Sequence, residues 1–253
     1  MTQWPSCTRN LDFFHLMTRL ALFDLDGTLL AHDTQLLFCQ FVLRQHGLRR
    51  FFLPLAAALA PAGLAGVLEA RELKRVFLSY LWLMPRERLE AHARTFAETV
   101  VPPLLFPEVR AEVERHRRAG RVLVLNSASP EFYVAEIGRV LGFDYSFGTR
   151  VVVEARQPFI AEIDGENNKH AAKLPPMERA GLLPCDAGDS WAYSDSSADL
   201  PMLHLVKNAV CINPGQHLTA VAEAEAWQVW RPARPWQGRP GQAMVVLRQL
   251  LGL

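Results

Sequence analysis

Short runs of uninterrupted hydrophobic residues alternate along this chain with stretches in which apolar residues recur every three or four positions. The first run, Leu20 to Phe23, closes on Asp24 and Asp26 and breaks at Gly27. Continuous apolar runs bounded by turn residues predict strands buried on both faces, and helical spacing predicts the helices that cover them. Further strands are predicted at 121–125, 150–153, 191–193, 209–212 and 227–230, the last as an edge. Helices are predicted at 34–44, 107–120, 130–141, 217–226 and 244–251. The segment 107–120 carries a first-turn proline, early glutamates, late arginines and a terminal glycine, which are ordered start and stop signals.

Residues 35–103 carry helical patterns only, continuous over 73–97, with Pro85 opening a helix. The organisation that follows is an N-terminal extension (1–16), an α/β core (17–34 and 104–253) and a helical cap domain (35–103) inserted after the first strand. The fold class is α/β, a Rossmann-like doubly wound parallel sheet with that cap.

One stretch of the insertion, 51–68, has no charged residue and by length alone meets the rule for a membrane span. It is rich in alanine and broken by Pro54, Pro61, Gly63 and Gly66. A span would also put Asp24 on one side of a bilayer and every later motif on the other. Three readings stay open: cap core, a re-entrant hairpin broken near Pro61 to Gly66, or a surface-lying apolar element. Arg44, Arg49 and Arg50 precede the stretch and Arg71, Lys74 and Arg75 follow it. Such flanks suit an anionic membrane surface, or equally the solvated ends of cap helices.

Composition narrows the partners. With 27 basic against 26 acidic residues, the chain gives no reason to expect nucleic acid. Cys7, Cys39, Cys185 and Cys211 show no CxxC spacing, so they read as small core residues in a reducing cytoplasm. Residues 1–16 lack the order of a signal peptide, and Met17, just before the first strand, could be the natural start.

Asp24 and Asp26 stand at the carboxyl end of a strand, where open α/β sheets bind ligands. Side chains two apart on an extended segment face one site, and a bare carboxylate pair there repels and lifts one pKa. A cation is therefore expected, and Mg²⁺ is the hard ion that suits oxygen ligands and phosphates.

The run Leu20 to Thr28, with its DLDGT ending, resembles the first motif of the haloacid dehalogenase superfamily of phosphotransferases. The resemblance implies that Asp24 is a nucleophile forming an aspartyl-phosphate and Asp26 the general acid/base, with Gly27 and Thr28 in the phosphate-binding turn. Ser127, in the segment Asn126-Ser127-Ala128-Ser129, stands where the family's second motif has a phosphate-binding hydroxyl, and Ala128 lies beside it. Asn126 departs from the hydrophobic residue usual there; it adds a polar contact or caps the next helix. Two lysines, Lys169 and Lys173, compete for the third motif, and the small residues preceding Lys173 favour it. The segment SDSSAD matches the fourth motif, whose acids hold Mg²⁺ beside the first-motif pair Asp24 and Asp26, with Asp195 as a direct ligand and Asp199 one layer further out or acting through water.

The position of the insertion is that of the phosphoserine-phosphatase-like branch. The charge-free stretch, the YSDSxxD form and the small-residue approach to Lys173 are similar to the bacterial phosphatidylglycerophosphatase C group. These likenesses imply a Mg²⁺-dependent phosphatase in the cytoplasm, acting on a phospholipid headgroup with peripheral membrane contact through 51–68 at the inner face of the membrane. The rival substrate is a soluble phosphorylated metabolite, phosphoserine included. A catalytically silent binding protein keeping the fold is the reading from another class, and intact Asp24, Asp26 and Asp195 speak against it.

Overall fold

The computed structural model describes residues 17–52 and 69–253. The N-terminal extension and residues 53–68, most of the charge-free stretch, lie outside the described residues.

Six strands form one parallel sheet: β1 (Leu20–Phe23), β2 (Val122–Pro130), β3 (Tyr145–Thr149), β4 (Trp191–Ser194), β5 (Asn208–Ile212) and β6 (Gln228–Trp230). Their order is β3-β2-β1-β4-β5-β6. The chain starts at the centre, winds outward to β3 and then returns to the other side of β1 at β4. Connections therefore diverge at β1, and a crevice opens beyond the carboxyl ends of β1 and β4. All four residues of β1 are buried. Ala21 and Phe23 pack into one apolar layer and Leu20 and Leu22 into the other, as a strand alternating between two covered faces requires.

The strand expected at 150–153 does not form. The third strand is Tyr145–Thr149 instead, and the valines after it leave the sheet, with Val151 and Val153 packed against the larger core cluster. This loop pairs with the insertion, where Arg86 N–H donates to Ala155 O and Leu83 N–H to Gln157 O (3.1 and 2.8 Å).

The described part of the insertion is helical: α1 (Thr34–Gln45), α2 (Ala70–Phe77) and α3 (Arg86–Thr99), with single turns at Gly47–Phe52 and Leu78–Leu81. Asp33 caps α1, its carboxylate accepting Gln35 and Leu36 N–H (2.8 and 3.1 Å). The helical pattern expected to run through 73–97 breaks between Trp82 and Pro85, because proline cannot continue a helix and Leu83 turns to φ +57.

The core helices are α4 (Pro107–Arg118), α5 (Glu131–Leu141), α6 (Leu174–Arg179), α7 (Leu200–Leu203), α8 (Gln216–Ala224) and α9 (Gly238–Leu251). The last begins before the expected 244. Phe38 of α1, Phe96 of α3 and Tyr133 of α5 pack ring to ring at 5.1 to 5.7 Å, seating the insertion on the core.

Candidate active site

The β1 ladder continues for one step past Phe23: Asp24 N–H donates to Tyr193 O at 3.0 Å. The chain then coils, with Leu29 N–H on Leu25 O (2.9 Å) and Gly27 at φ +78. The coil returns Thr28 to the strand end, where its hydroxyl lies 3.2 Å from Asp24 Oδ2 and accepts Asp195 N–H at 3.0 Å. The turns after β1 and β4 are thereby joined.

Lys173 closes the turn His170–Lys173 and is buried. Its ammonium lies 2.7 Å from Asp24 Oδ1 and 2.7 Å from Asp199 Oδ1. The other Asp199 oxygen accepts the Ser194 hydroxyl at 2.7 Å, so both oxygens of Asp199 are engaged. Lys169, the other candidate lysine, is exposed.

Asp26 keeps different company. Its carboxylate accepts Thr34 N–H and the Ser129 hydroxyl, each at 2.6 Å, and shares no hydrogen-bond partner with Asp24. The two carboxylates were expected to face one site as neighbours on an extended segment; their hydrogen-bond partners differ, yet the charge of Asp26 still acts on Asp24. Ser127 is buried, and its hydroxyl oxygen accepts Ser129 N–H at 3.0 Å. Ala128 O accepts the Thr149 hydroxyl at 2.5 Å and the Lys74 ammonium.

Asn126 resolves to a polar contact rather than a helix cap. Its amide donates to Lys173 O (2.9 Å) and its oxygen accepts the Asn168 amide (2.8 Å), while α5 starts after Pro130 without a side-chain cap. Asn168 also donates to Ser127 O at 2.8 Å. One buried amide pair thus ties the second-motif serine to the third-motif lysine. Asn168, Thr149 and Lys74 were not singled out as site residues from the sequence. Asn168 and Thr149 belong to no motif, and Lys74 stood only among basic flanking residues.

Burial is the largest influence on Asp24 and lifts it; Lys173 draws it back, Asp199 and Asp26 add to the lift, and the result is about 7. Asp195 is lifted to about 8 by burial, then by Asp24 and Asp199. Asp26 is lifted to about 6, chiefly by burial and then by Asp33. Burial pushes Lys173 down, but Asp24 and Asp199 outweigh it and the ammonium is held charged.

Of the four carboxylates only Asp24 and Asp199 touch Lys173, so the cluster keeps an excess of negative charge that an added cation would offset. The oxygen-only donor set suits Mg²⁺. Gly27 leaves the room in which the Asp195 carboxylate sits, since a β-carbon there would come within 2.2 Å of Asp195 Oδ2. Among the described residues no three acidic, histidine or cysteine side chains converge as a finished metal cage. Mg²⁺ ordinarily takes one or two carboxylates and keeps waters, so the set fits that ion.

Fold and site together define an α/β enzyme with a lysine-paired carboxylate at the switch point of its sheet. Residues 21–204 match the haloacid dehalogenase-like hydrolase family, and the chain belongs to it. The inhibition of morphological differentiation protein of Streptomyces azureus is 30% identical over 87% of this chain and 82% of its own length. Histidinol-phosphatase of Neisseria meningitidis serogroup C is 26% identical over 84% of this chain and 98% of its own. A solved structure of a protein of unknown function from Bordetella pertussis Tohama I superposes with a TM-score of 0.70. It is 29% identical and covers 84% of this chain and 98% of that one. Among the described residues no helix is long and apolar enough to cross a membrane.

Proposed function

We propose that this protein is a Mg²⁺-dependent phosphomonoester hydrolase that works through an aspartyl-phosphate on Asp24. The observation that carries the reading is the buried ion pair between Asp24 Oδ1 and Lys173 at 2.7 Å, which leaves Oδ2 with the Thr28 hydroxyl at 3.2 Å as its one hydrogen-bond partner among the described residues. Oδ2 attacks phosphorus in line, the bond to the leaving oxygen breaks, and Asp26 gives that oxygen a proton. Water then attacks the acyl-phosphate while Asp26 takes a proton back. An Asp26 pKa of about 6 suits both directions near neutral pH.

Asp199 fixes Lys173, which offsets the charge of the incoming phosphoryl group. The Ser127 oxygen accepts the Ser129 N–H, so its own proton is left to donate to a phosphoryl oxygen. Gly27, Thr28 and Ala128 line the rest of the cradle in this reading, the Thr28 N–H itself being engaged with Leu25 O at 3.3 Å. Asp24 and Asp195 would hold Mg²⁺, which when bound supplies positive charge to the non-bridging phosphoryl oxygens. The carboxylate of Asp26, committed to Thr34 and Ser129, serves proton transfer instead, and Asp199 acts through Lys173.

Residues 35–103 act in this reading as the cap that selects the substrate. A soluble phosphorylated metabolite handled in the cytoplasm is the class supported by the Neisseria histidinol-phosphatase, nearly all of whose length this chain spans. A phospholipid headgroup at the inner membrane face is the second reading. It is favoured by Leu48 and Phe51, each 83% exposed at the edge of the charge-free stretch beside Arg49 and Arg50.

The test is phosphate release with Mg²⁺ or with EDTA from histidinol phosphate, phosphoserine, other soluble esters and phosphatidylglycerophosphate in detergent, with Asp24→Asn as the blank. Turnover lost in the variant and in EDTA supports the mechanism, and the preferred ester decides the substrate class. No Mg²⁺-dependent release from any ester would return the chain to the silent-binder reading.

A further inference from the structure

Lys74 lies on α2 of the insertion and is buried. Its ammonium donates to Ala128 O, to Thr149 Oγ1 (3.1 Å) and to Asn167 Oδ1 (2.5 Å). The three acceptors sit at the end of β2, at the end of β3 and in the loop before the Lys173 turn. All are neutral; among the described residues no ion pair within 4.0 Å includes Lys74, and the carboxylates that act on it from further away are those of Asp26 and Asp33.

A buried ammonium whose direct partners are all neutral is costly even with the Asp26 and Asp33 charges nearby, and an apolar side chain of similar length would fill the space without that cost. Nor is Lys74 needed to fasten α2. Arg71 already donates to Gly165 O and Ile163 O (3.1 and 2.9 Å), and Arg75 to Ala161 O (2.9 Å). What Lys74 adds from α2 is a direct link to the ends of β2 and β3, through Ala128 O and Thr149 Oγ1.

That carbonyl belongs to the same peptide group as Ser129 N–H, which donates to Ser127 Oγ. Rotation of this peptide would withdraw the N–H from Ser127 and move the Ser129 hydroxyl from Asp26. We propose that Lys74 is a positioning residue through which the insertion holds the 127–129 turn in its phosphoryl-binding form. It touches neither the reacting carboxylate nor the phosphoryl site and acts through the Ala128 carbonyl. The turnover arm of the test rests on the phosphatase reading, and the exchange arm does not.

The experiment compares Lys74→Met with Arg71→Met and Arg75→Met, which loosen α2 without touching the turn. In Lys74→Met, kcat should fall about 100-fold with KM within about twofold, the cost of a misplaced site rather than a lost binding contact. Amide hydrogen exchange in peptides spanning 126–130 should rise in Lys74→Met and stay at the wild-type rate in both arginine variants. A folded Lys74→Met with wild-type kcat and exchange overturns the proposal, and so does a rise in KM alone, which would make Lys74 a substrate contact. If Lys74→Met does not fold, Thr149→Val, which removes the other donor to Ala128 O, is read in the same way, and unchanged kcat and exchange overturn the proposal there. If the wild-type protein releases no phosphate, the functional reading fails, and exchange alone decides the role of Lys74.

Discussion

A β-carbon on Gly27 would lie 2.2 Å from Asp195 Oδ2 and 2.5 Å from the carboxyl carbon, so residue 27 can be nothing larger while Asp195 keeps its place. The same residue sits at φ +78, where any other L-residue costs about 1–2 kcal/mol. Two separate demands, conformation and clearance, thus meet at one glycine between the first and fourth motifs. Gly27→Ala should lose about 1–2 kcal/mol of stability from the backbone. It should lose far more in function, because the displaced carboxylate is a proposed metal ligand. Mg²⁺ titration of activity should move to a higher midpoint while urea unfolding shifts modestly. A wild-type Mg²⁺ midpoint in Gly27→Ala would count against Asp195 as a ligand.

Lys173 and Lys169 separate cleanly. Lys173 is shared by two buried carboxylates at 2.7 Å, and its removal leaves each with a neutral hydroxyl but no cation. Lys173→Met is expected to cost about 3–5 kcal/mol, as for other broken buried pairs, and to abolish turnover. Lys169 is exposed, and Lys169→Met should stay within about 0.5 kcal/mol of wild type with turnover intact. Urea unfolding and phosphate release on both variants test the pair of statements, and comparable losses in the two would reverse the assignment.

The acid cluster makes stability depend on pH in an unusual direction. Folded pKa values of about 7 for Asp24, about 6 for Asp26 and about 8 for Asp195 lie above the ordinary carboxylate value. The folded state therefore binds these protons more tightly than the unfolded chain does. The resulting stability is fully present below the unfolded pKa near 4 and is lost as pH rises through 6 to 8. In EDTA, Tm should fall between pH 5 and pH 8.5. Mg²⁺ should reverse much of that fall at the alkaline end and little at pH 5, where it competes with protons. A Tm that rises with pH in EDTA would disprove the crowding of ionised carboxylates inferred for the site.

How much of this was legible depended on whether the determinant was local. Leu20 to Phe23 announced a central strand because a parallel strand covered on both faces has no polar alternation to obscure it. Asp24, Ser127 and Asp195 were readable because each stands at or near the end of a strand and the sheet brings strand ends together, while Lys173 was picked out by the small residues before it. The β-branched run Val151 to Val153 misled: its valines pack on the core without entering the sheet, and Tyr145–Thr149 pairs with β2 instead. The partners of Asp26 could not be seen, because Thr34 and Ser129 lie 8 and 103 residues further along the chain and only the fold brings them to its carboxylate. Lys74 and Asn168 were invisible for a simpler reason. Their partners are remote in sequence, and only the completed fold brings them to Ala128, Asn126 and Ser127.

The Asn126–Asn168 pair makes the sharpest claim about coupling. Asn126 is fully buried, donates to Lys173 O and accepts from Asn168, which in turn donates to Ser127 O. Replacing either one alone leaves a buried partner unpaired, a penalty of about 1–3 kcal/mol. Replacing both removes the shared hydrogen bond once, not twice, so the double variant should cost less than the sum of the singles. Asn126→Leu, Asn168→Leu and the double variant form a cycle in urea unfolding, with an expected coupling of about 0.5–3 kcal/mol. The same cycle in kcat should be non-additive, since both single changes disturb the one link between Ser127 and Lys173. Strict additivity in stability and turnover would mean that the two amides act separately and that the serine and lysine are positioned by their own strands and turns alone.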